Sequence, residues 1–294
     1  MPDKSLRFAF FGNEYQAKKS AAIQKIIALL QQHDAEIYID RPFFEFLTEG
    51  QHFEPNVTGV FDGDDFSADF AVSMGGDGTL LRTASRIGEK RIPIVGVNIG
   101  RLGFLADVNP VEIEHAVTAL YSGNFCVHDH SLIEIKTDNG KLSGSPFALN
   151  DVAVLKRDTA SMISIHTTVN DEYVMTYQAD GLIVTTPTGS TAYSLSNGGP
   201  IIAPGTDILC LTPVAPHSLN TRPIVIPDNS VITLKVSSRS HNFLVAVDGR
   251  SESLPEGTVI TIRKAEHPAR VVRFNERRYF STLREKMMWG MDQR

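Results

Sequence analysis

The apolar pattern of this 294-residue chain changes period near Asn124, and that change restricts the fold more than any other feature. Before it, short apolar runs alternate with helical stripes. Segment 6–11 reads as a strand closed by Gly12, and 17–30 carries Ala22, Ile23, Ile26, Ile27 and Leu30 on one helical face. Segment 35–39 alternates as a strand. Segments 68–74 and 92–97 are continuous apolar runs, the pattern of strands buried on both faces. Between them, 79–87 reads as a helix. Another is expected over 110–120, opened by Asn109 and Pro110 and closed by Gly123. After Asn124 the segments are short and rich in Val, Ile, Thr and Ser, with turn signals at Asp138-Asn139-Gly140 and Asn170-Asp171. The expectation is an N-terminal doubly wound, Rossmann-like α/β domain over 1–123 and a C-terminal all-β, sandwich-like domain over 124–274. One helix is expected inside the β region, over 190–196. A tail over 275–294 ends in a closing helix from Tyr279 and is expected to pack back on the N-terminal domain.

Charge and cysteine usage narrow the partners. The net charge is −6 with no long basic run, which argues against nucleic acid or an anionic membrane as the main partner. No apolar segment approaches the ~18 residues of a membrane span. Cys126 and Cys210 sit in apolar contexts without paired spacing and read as buried thiols of a cytoplasmic protein. The nine histidines show no metal-ligand spacing.

The first chemical motif is Gly75-Gly76-Asp77-Gly78-Thr79, a glycine turn between a buried strand and a helix. Glycines admit positive φ and let another molecule approach the backbone closely. The turn amides and the helix N-terminus then form a seat for phosphate. A carboxylate in that seat is unfavourable unless it holds a metal or takes a proton from a neighbouring hydroxyl. The plainer reading is that Asp77 caps the helix, and for an isolated glycine motif that reading is favoured.

Two further clusters accompany it. In FALNDVAVLK the pair Asn150-Asp151 interrupts an apolar strand. It is either a turn or a donor–acceptor pair suited to a ribose diol, and the residues alone leave both open. The stretch QADGLIVTTPTGSTAYSLSNGGPI, 178–201, joins a strand, a hydroxyl-rich turn, a short helix and a Gly-Gly-Pro stop. Such a turn binds phosphate or a polar ligand, and Tyr193 offers a flat ring to a base. A capped helix with a core tyrosine is the alternative.

Together these segments resemble the NAD kinase family, which phosphorylates the 2′-hydroxyl of the adenosine ribose of NAD. The resemblance is carried by GGDGT at 75–79, NIGRLGFLAD at 98–107, LNDVAV at 149–154, DGLIVTTPTGSTAYSLSNGGPI at 180–201, TPVAPHSLNTRPIVIP at 212–227 and VDG at 247–249. GGDGT alone is shared with lipid kinases and phosphofructokinases, so a kinase acting on a lipid or sugar hydroxyl is the alternative. The 180–201 block is far more specific.

The resemblance implies Asp77 as the catalytic acid and Gly75, Gly76, Gly78 and Thr79 as the phosphate-facing turn for ATP. It implies NAD contacts at Gly103 and Phe104 near the adenine end, and at Asn150 and Asp151 on a ribose. Thr191, Ala192, Tyr193 and Ser196 would line the dinucleotide site, with Asp180 and Ala215 near the nicotinamide end and Asp248 in a late loop. The family pair is often Asn-Glu, and Asp151 is one methylene shorter. The resemblance further implies ATP as donor, Mg²⁺ or another divalent cation, NAD as acceptor and a homodimer or homotetramer built through the β-rich half.

Outside these motifs, Arg222 reads equally as a loop anchor or a phosphate contact. Arg263, Lys264, Arg270, Arg273, Arg277 and Arg278 read as a solvated basic face.

Overall fold

The structure, a computed structural model, describes residues 5–12, 20–100, 103–106, 108–140, 142–157, 161–274, 279–288 and 290. The start of the first expected helix (17–19), Arg101, Leu102 and Asp107 of the 98–107 block, and Arg277 and Arg278 lie outside them.

The chain forms two compact units, one of residues 1–129 with 270–294 and one of residues 130–269. In chain order the first unit contains β1 Arg7–Gly12, α1 Ser20–Gln31, β2 Glu36–Asp40 and α2 Arg41–Glu45, which runs into a π-helical turn, Phe46–Gly50. Then come β3 Gly59–Phe61, β4 Phe70–Gly75, α3 Asp77–Ile87, β5 Ile94–Asn98, α4 Ile113–Ser122 and β6 Cys126–His130. The second unit runs β7 Ile133–Thr137, β8 Phe147–Ala148, β9 Asp151–Lys156, β10 Ile163–Val169, β11 Glu172–Ala179 and β12 Gly181–Thr185. After α5 Tyr193–Ser196 follow β13 Ile208–Val214, β14 Ile224–Pro227, β15 Ile232–Ser237, β16 Asn242–Val247, β17 Arg250–Pro255 and β18 Val259–Lys264. The chain then returns to the first unit with β19 Ala269–Arg273 and α6 Tyr279–Met287.

The first sheet has the order β3-β2-β1-β4-β5-β19-β6, and β1 is parallel to both β2 and β4. Every residue of β4 and β5 is buried, as their continuous apolar runs predict. On one face Phe8, Phe10, Val72 and Val95 meet Ile27 and Leu30 of α1 and Val117 of α4. On the other, Gly96 leaves room for Leu80 of α3; a Cβ there would lie 2.9 Å from its Cδ1. Helices thus cover both faces, the doubly wound arrangement. Strand order reverses between β1 and β4, and the turn after β4 stands at that switch point, where open α/β sheets place ligands.

The second unit is a sandwich of two six-stranded sheets, β11-β10-β15-β18-β7-β8 and β14-β13-β12-β9-β16-β17. Alternate residues of both fill one core, including Ile165, Tyr177, Leu234 and Ile262 from the first and Val154, Leu182, Leu211 and Phe243 from the second. Asn170 and Asp171 take φ of 50° and 65° at the β10–β11 turn, a conformation that Asn and Asp tolerate.

Three local expectations differ. The helix expected over 190–196 is two pieces, a 3-10 turn Thr188–Thr191 and α5, broken at Ala192 with φ −103° and ψ −127°. Cys126 is exposed on β6, whereas Cys210 is buried. Strands β6 and β19, which the sequence pattern grouped with the β-rich part, belong to the first sheet. Their pairing joins segments distant in sequence, and period alone does not report it.

Candidate functional site

The turn after β4 is shaped by the absence of side chains. A Cβ on Gly75 would lie 2.0 Å from Oγ1 of Thr79, so glycine lets the buried threonine fold back beneath the turn. Among the described residues, a Cβ on Gly76 or Gly78 would meet nothing within 4 Å, so the backbone is open to them on that side. None of these glycines has positive φ; room, not handedness, explains them. Gly76 is the extended N-cap of α3, and Asp77 is the first helical residue. The first-turn amides of a helix lack intrahelical partners and carry the positive end of its dipole.

The Asp77 side chain is 27% exposed, and its carboxylate is held by three consecutive amides. Phe104 N–H donates to Oδ2 at 2.7 Å, and Leu105 and Ala106 N–H donate to Oδ1 at 3.0 and 3.1 Å. Gly103 lies flat against the same carboxylate, since a Cβ there would come within 2.1 Å of Oδ1. The carbonyls of Leu105 and Phe104 accept from the Arg273 guanidinium at 3.2 and 3.3 Å. Arg273 is therefore a clamp on this segment, not part of a solvated basic face. Lys286 of α6 reaches Oδ2 of Asp77 at 3.4 Å, with its ammonium 4.1 Å from the centroid of the Phe104 ring. The first unit thus brings together Gly75, Gly76, Asp77, Gly78, Thr79, Gly103 and Phe104.

The second unit repeats the device. The Asp248 carboxylate accepts from Leu149 N–H at 2.7 Å on Oδ2, and from Asn150 and Asp151 N–H at 2.8 and 3.1 Å on Oδ1. The Asp248 amide returns a bond to the Asp151 carbonyl at 3.0 Å, and Asp248 takes φ of 47° to do so. Its carboxylate therefore braces the Asn150-Asp151 backbone. The Asn150 carbonyl accepts from Thr186 N–H at 2.9 Å and from the Thr185 hydroxyl at 3.0 Å. Gly189 packs on that carbonyl, where a Cβ would come within 2.2 Å. Asn150, Asp151, Asp248 and the 185–191 turn are consequently one cluster.

Burial separates two kinds of residue in that turn. Ser190 and Ser194 are fully buried: Ser190 bonds the carbonyls of Pro187 and Ile202, and Ser194 the Thr212 hydroxyl. Thr191 and Ala192 are half-buried, and Tyr193 and Ser196 are exposed. Asp151 is buried, and desolvation first, then the neighbouring Asp248 charge, pushes its pKa up to about 7. Burial also raises Asp248. The Asn150 side-chain oxygen is buried without a hydrogen-bond partner.

Asp180 and Ala215 stand elsewhere. Asp180 pairs with Lys156 at 2.7 Å, and Ala215 follows β13 with φ of 43°. They mark the start of β12, while Thr186 follows its end; five residues at ~3.3 Å each separate the two groups. Arg222 donates to the carbonyls of Leu219 and Thr221 and anchors its own loop.

The sequence reading did not single out Lys286 or the amide clamps. Lys286 lies in a tail helix with no motif around it, and a backbone amide leaves no trace in residue identity.

Known proteins resemble this chain along most of its length. The model of the ATP-NAD kinase N-terminal domain matches residues 8–125, and that of the ATP-NAD kinase C-terminal domain matches 149–274. An NAD kinase of Bacteroides fragilis is 53% identical over 98% of this chain and 100% of its own length. One of Porphyromonas gingivalis is 46% identical over 97% of this chain and 98% of its own. Among solved structures, yeast NADH kinase complexed with NADH shares the fold, with TM-score 0.88, 23% identity, and coverage of 99% of this chain and 89% of that one. An Archaeoglobus fulgidus NAD kinase in complex with ATP gives TM-score 0.75 and 28% identity, covering 96% of this chain and 99% of its own. With both domain models matched in order and relatives this similar from end to end, the chain belongs to the NAD kinase family.

Proposed function

We propose that the chain transfers the terminal phosphate of ATP to the 2′-hydroxyl of the adenosine ribose of NAD, giving NADP and ADP. The observation that carries this reading is the acid at the switch-point turn: Asp77 opens α3 between two glycines at which, among the described residues, an added Cβ would meet nothing within 4 Å. A phosphate seated on the turn amides there would adjoin a carboxylate.

A hydroxyl is a weak nucleophile at neutral pH, so catalysis rests on alignment and proton removal. The 2′-oxygen forms its bond to the terminal phosphorus, the bond to the bridging oxygen breaks, and ADP leaves with that oxygen. Asp77 orients the hydroxyl and takes its proton. Three amides fix the carboxylate, two on Oδ1 and one on Oδ2, so Oδ2 is the oxygen left with room to accept from a hydroxyl. In the second unit, Asn150 and Asp151 suit a ribose diol, and the exposed Tyr193 ring suits a base, with Thr191, Ala192 and Ser196 beside it. Asp180 and Ala215 are assigned to the nicotinamide end. Asp248 is assigned a positioning role through the amides it holds.

The family reading includes Mg²⁺. Among the described residues no group of three or more His, Cys, Asp or Glu side chains could hold a metal ion. The described residues form no cage for the cation, and it would enter on the nucleotide phosphates. Self-association through the β-rich half is supported by the edge strand β14, where Ile224 and Val225 are exposed. No described helix is long and apolar enough to cross a membrane. The two free cysteines, one exposed, support a reducing, cytoplasmic location.

The test is direct. Incubated with ATP, Mg²⁺ and NAD, the purified chain is expected to form NADP. Asp77→Asn is expected to keep the fold and NAD binding while turnover falls ~10²-fold or more. Near-wild-type turnover of that variant rejects the role given to Asp77.

A further inference from the structure

The carboxylate of Asp77 has room for about four hydrogen bonds. Amides fill three positions, two on Oδ1 and one on Oδ2, and the Lys286 ammonium stands beside Oδ2 at 3.4 Å, longer than an ordinary hydrogen bond, so the fourth position is left for the acceptor hydroxyl. Phe104 carries the same ammonium on its ring face at 4.1 Å, well inside cation–π range. The lysine is 28% exposed, half withdrawn from water and not waving in it. Its place is set by α6. Leu283 is buried and anchors the helix, and Lys286 follows one turn later on the same side.

This arrangement answers an electrostatic difficulty of the turn. A triphosphate brought to the α3 N-terminus meets the negative charge of Asp77 at close range, and like charges at that distance oppose binding. The backbone amides ease this only in part, because those of residues 104–106 are directed at the carboxylate itself. The ion pair that the structure gives Asp77, among the described residues, is to Lys286. Arg273, the other cation on this segment, faces carbonyls. A lysine is a compact charge on a flexible stem, so it can remain beside Oδ2 while also meeting a phosphate oxygen.

We propose that Lys286 is a positioning residue of phosphoryl transfer: its ammonium neutralises and orients the Asp77 carboxylate so that the donor phosphate can settle beside it. This rests on the reading of Asp77 as the acid that meets the acceptor hydroxyl. The C-terminal helix thereby becomes part of the donor side of the site and not only a closing element.

The test compares Lys286→Met, which removes the ammonium but keeps an unbranched side chain, with Lys286→Arg, which keeps the charge, in the full chain and in the Asp77→Asn background. Steady-state kcat and KM are measured for ATP and NAD, with circular dichroism to confirm the fold. Lys286→Met is expected to lower kcat/KM for ATP about tenfold or more while KM for NAD changes less than about twofold, and Lys286→Arg to recover most of the loss. In the Asp77→Asn background the lysine change is expected to cost less than about twofold further, since both act through one carboxylate. A Lys286→Met enzyme within about twofold of wild type, a loss that arginine does not restore, or losses that simply multiply would each overturn the proposal. Wild-type turnover in Asp77→Asn alone would instead remove the reading of Asp77 and the proposal with it.

Discussion

Gly103 is needed for what its neighbour does. Its α-carbon lies against the Asp77 carboxylate, and a methyl group there would sit 2.1 Å from Oδ1. Either the carboxylate or the 103–106 segment must move, and both belong to the same set of hydrogen bonds. Gly103→Ala is expected to destabilise the first unit by about 1–3 kcal/mol, the range for overpacking, and to lower turnover well beyond its effect on stability. Thermal unfolding and kcat measured on the same preparation check this; an alanine variant with full activity would show that the carboxylate position is not critical. Asp151 supports a different prediction. Its pKa is raised from 3.8 to about 7, so the folded chain binds more protons than the unfolded one between about pH 4 and 7. Stability from this group is therefore present at the acid end of that window and lost as pH rises through about 7. Asp248, raised by burial as well, adds to the same trend. Urea unfolding across this range should show stability falling with pH, and Asp151→Asn should flatten the profile; an unchanged slope would place the titration elsewhere.

Two elements of this fold use one device: an aspartate accepts three successive backbone amides, 104–106 for Asp77 and 149–151 for Asp248, with the first amide on Oδ2 and the next two on Oδ1. Each brace fixes a short irregular segment that no regular ladder would hold. Asp248→Asn replaces one acceptor oxygen by a donor that faces amide hydrogens. It is expected to cost about 1–3 kcal/mol and to expose Leu149, Asn150 and Asp151 to faster hydrogen exchange, while β10 and β15 keep their protection. Equal protection at those three amides in the variant would refute the brace. Asp77 was legible in the sequence, because a charged residue inside a glycine turn stands out, whereas Asp248 came only with the family resemblance. Their partners were not legible, because any residue but proline supplies an amide. The strand β4, its glycine turn and α3 were legible from an apolar run, Gly75-Gly76 and an amphipathic stripe. So was the 3-10 turn Pro110–Glu112 that leads into α4, which Asn109 and Glu112 close with a capping box. The helical stretch over α2 and the π-turn was not: its Arg-Pro-Phe-Phe start has no side-chain cap bond and too few residues to show a period.

At the scale of the whole molecule, the chain leaves the first unit once and returns once. Residues 130–269 form an uninterrupted second unit with their own sandwich core, whereas the first unit is assembled from 1–129 and 270–294. The return segment is integral to the first sheet: β19 lies between β5 and β6, and Val272 is buried in the same core as Val72, Val95 and Leu120. Without β19, β6 loses the neighbour that links it to the rest of the sheet, and its mostly exposed Cys-Val-His-Asp-His sequence offers little apolar surface to hold it. The Arg273 clamp on residues 104 and 105 and the Lys286 contact to Asp77 go with the same segment. A fragment of residues 130–269 is therefore expected to fold alone, with β-type circular dichroism and a cooperative thermal transition. A fragment of residues 1–129 is expected to be expanded and to unfold without cooperativity, and fusing 270–294 to it through a flexible linker is expected to restore a cooperative transition. Circular dichroism melts of the three polypeptides decide the matter. A cooperative 1–129 fragment would mean that the central parallel strands β1, β4 and β5 suffice, and that the returning segment serves the acid at the switch-point turn rather than the stability of its sheet.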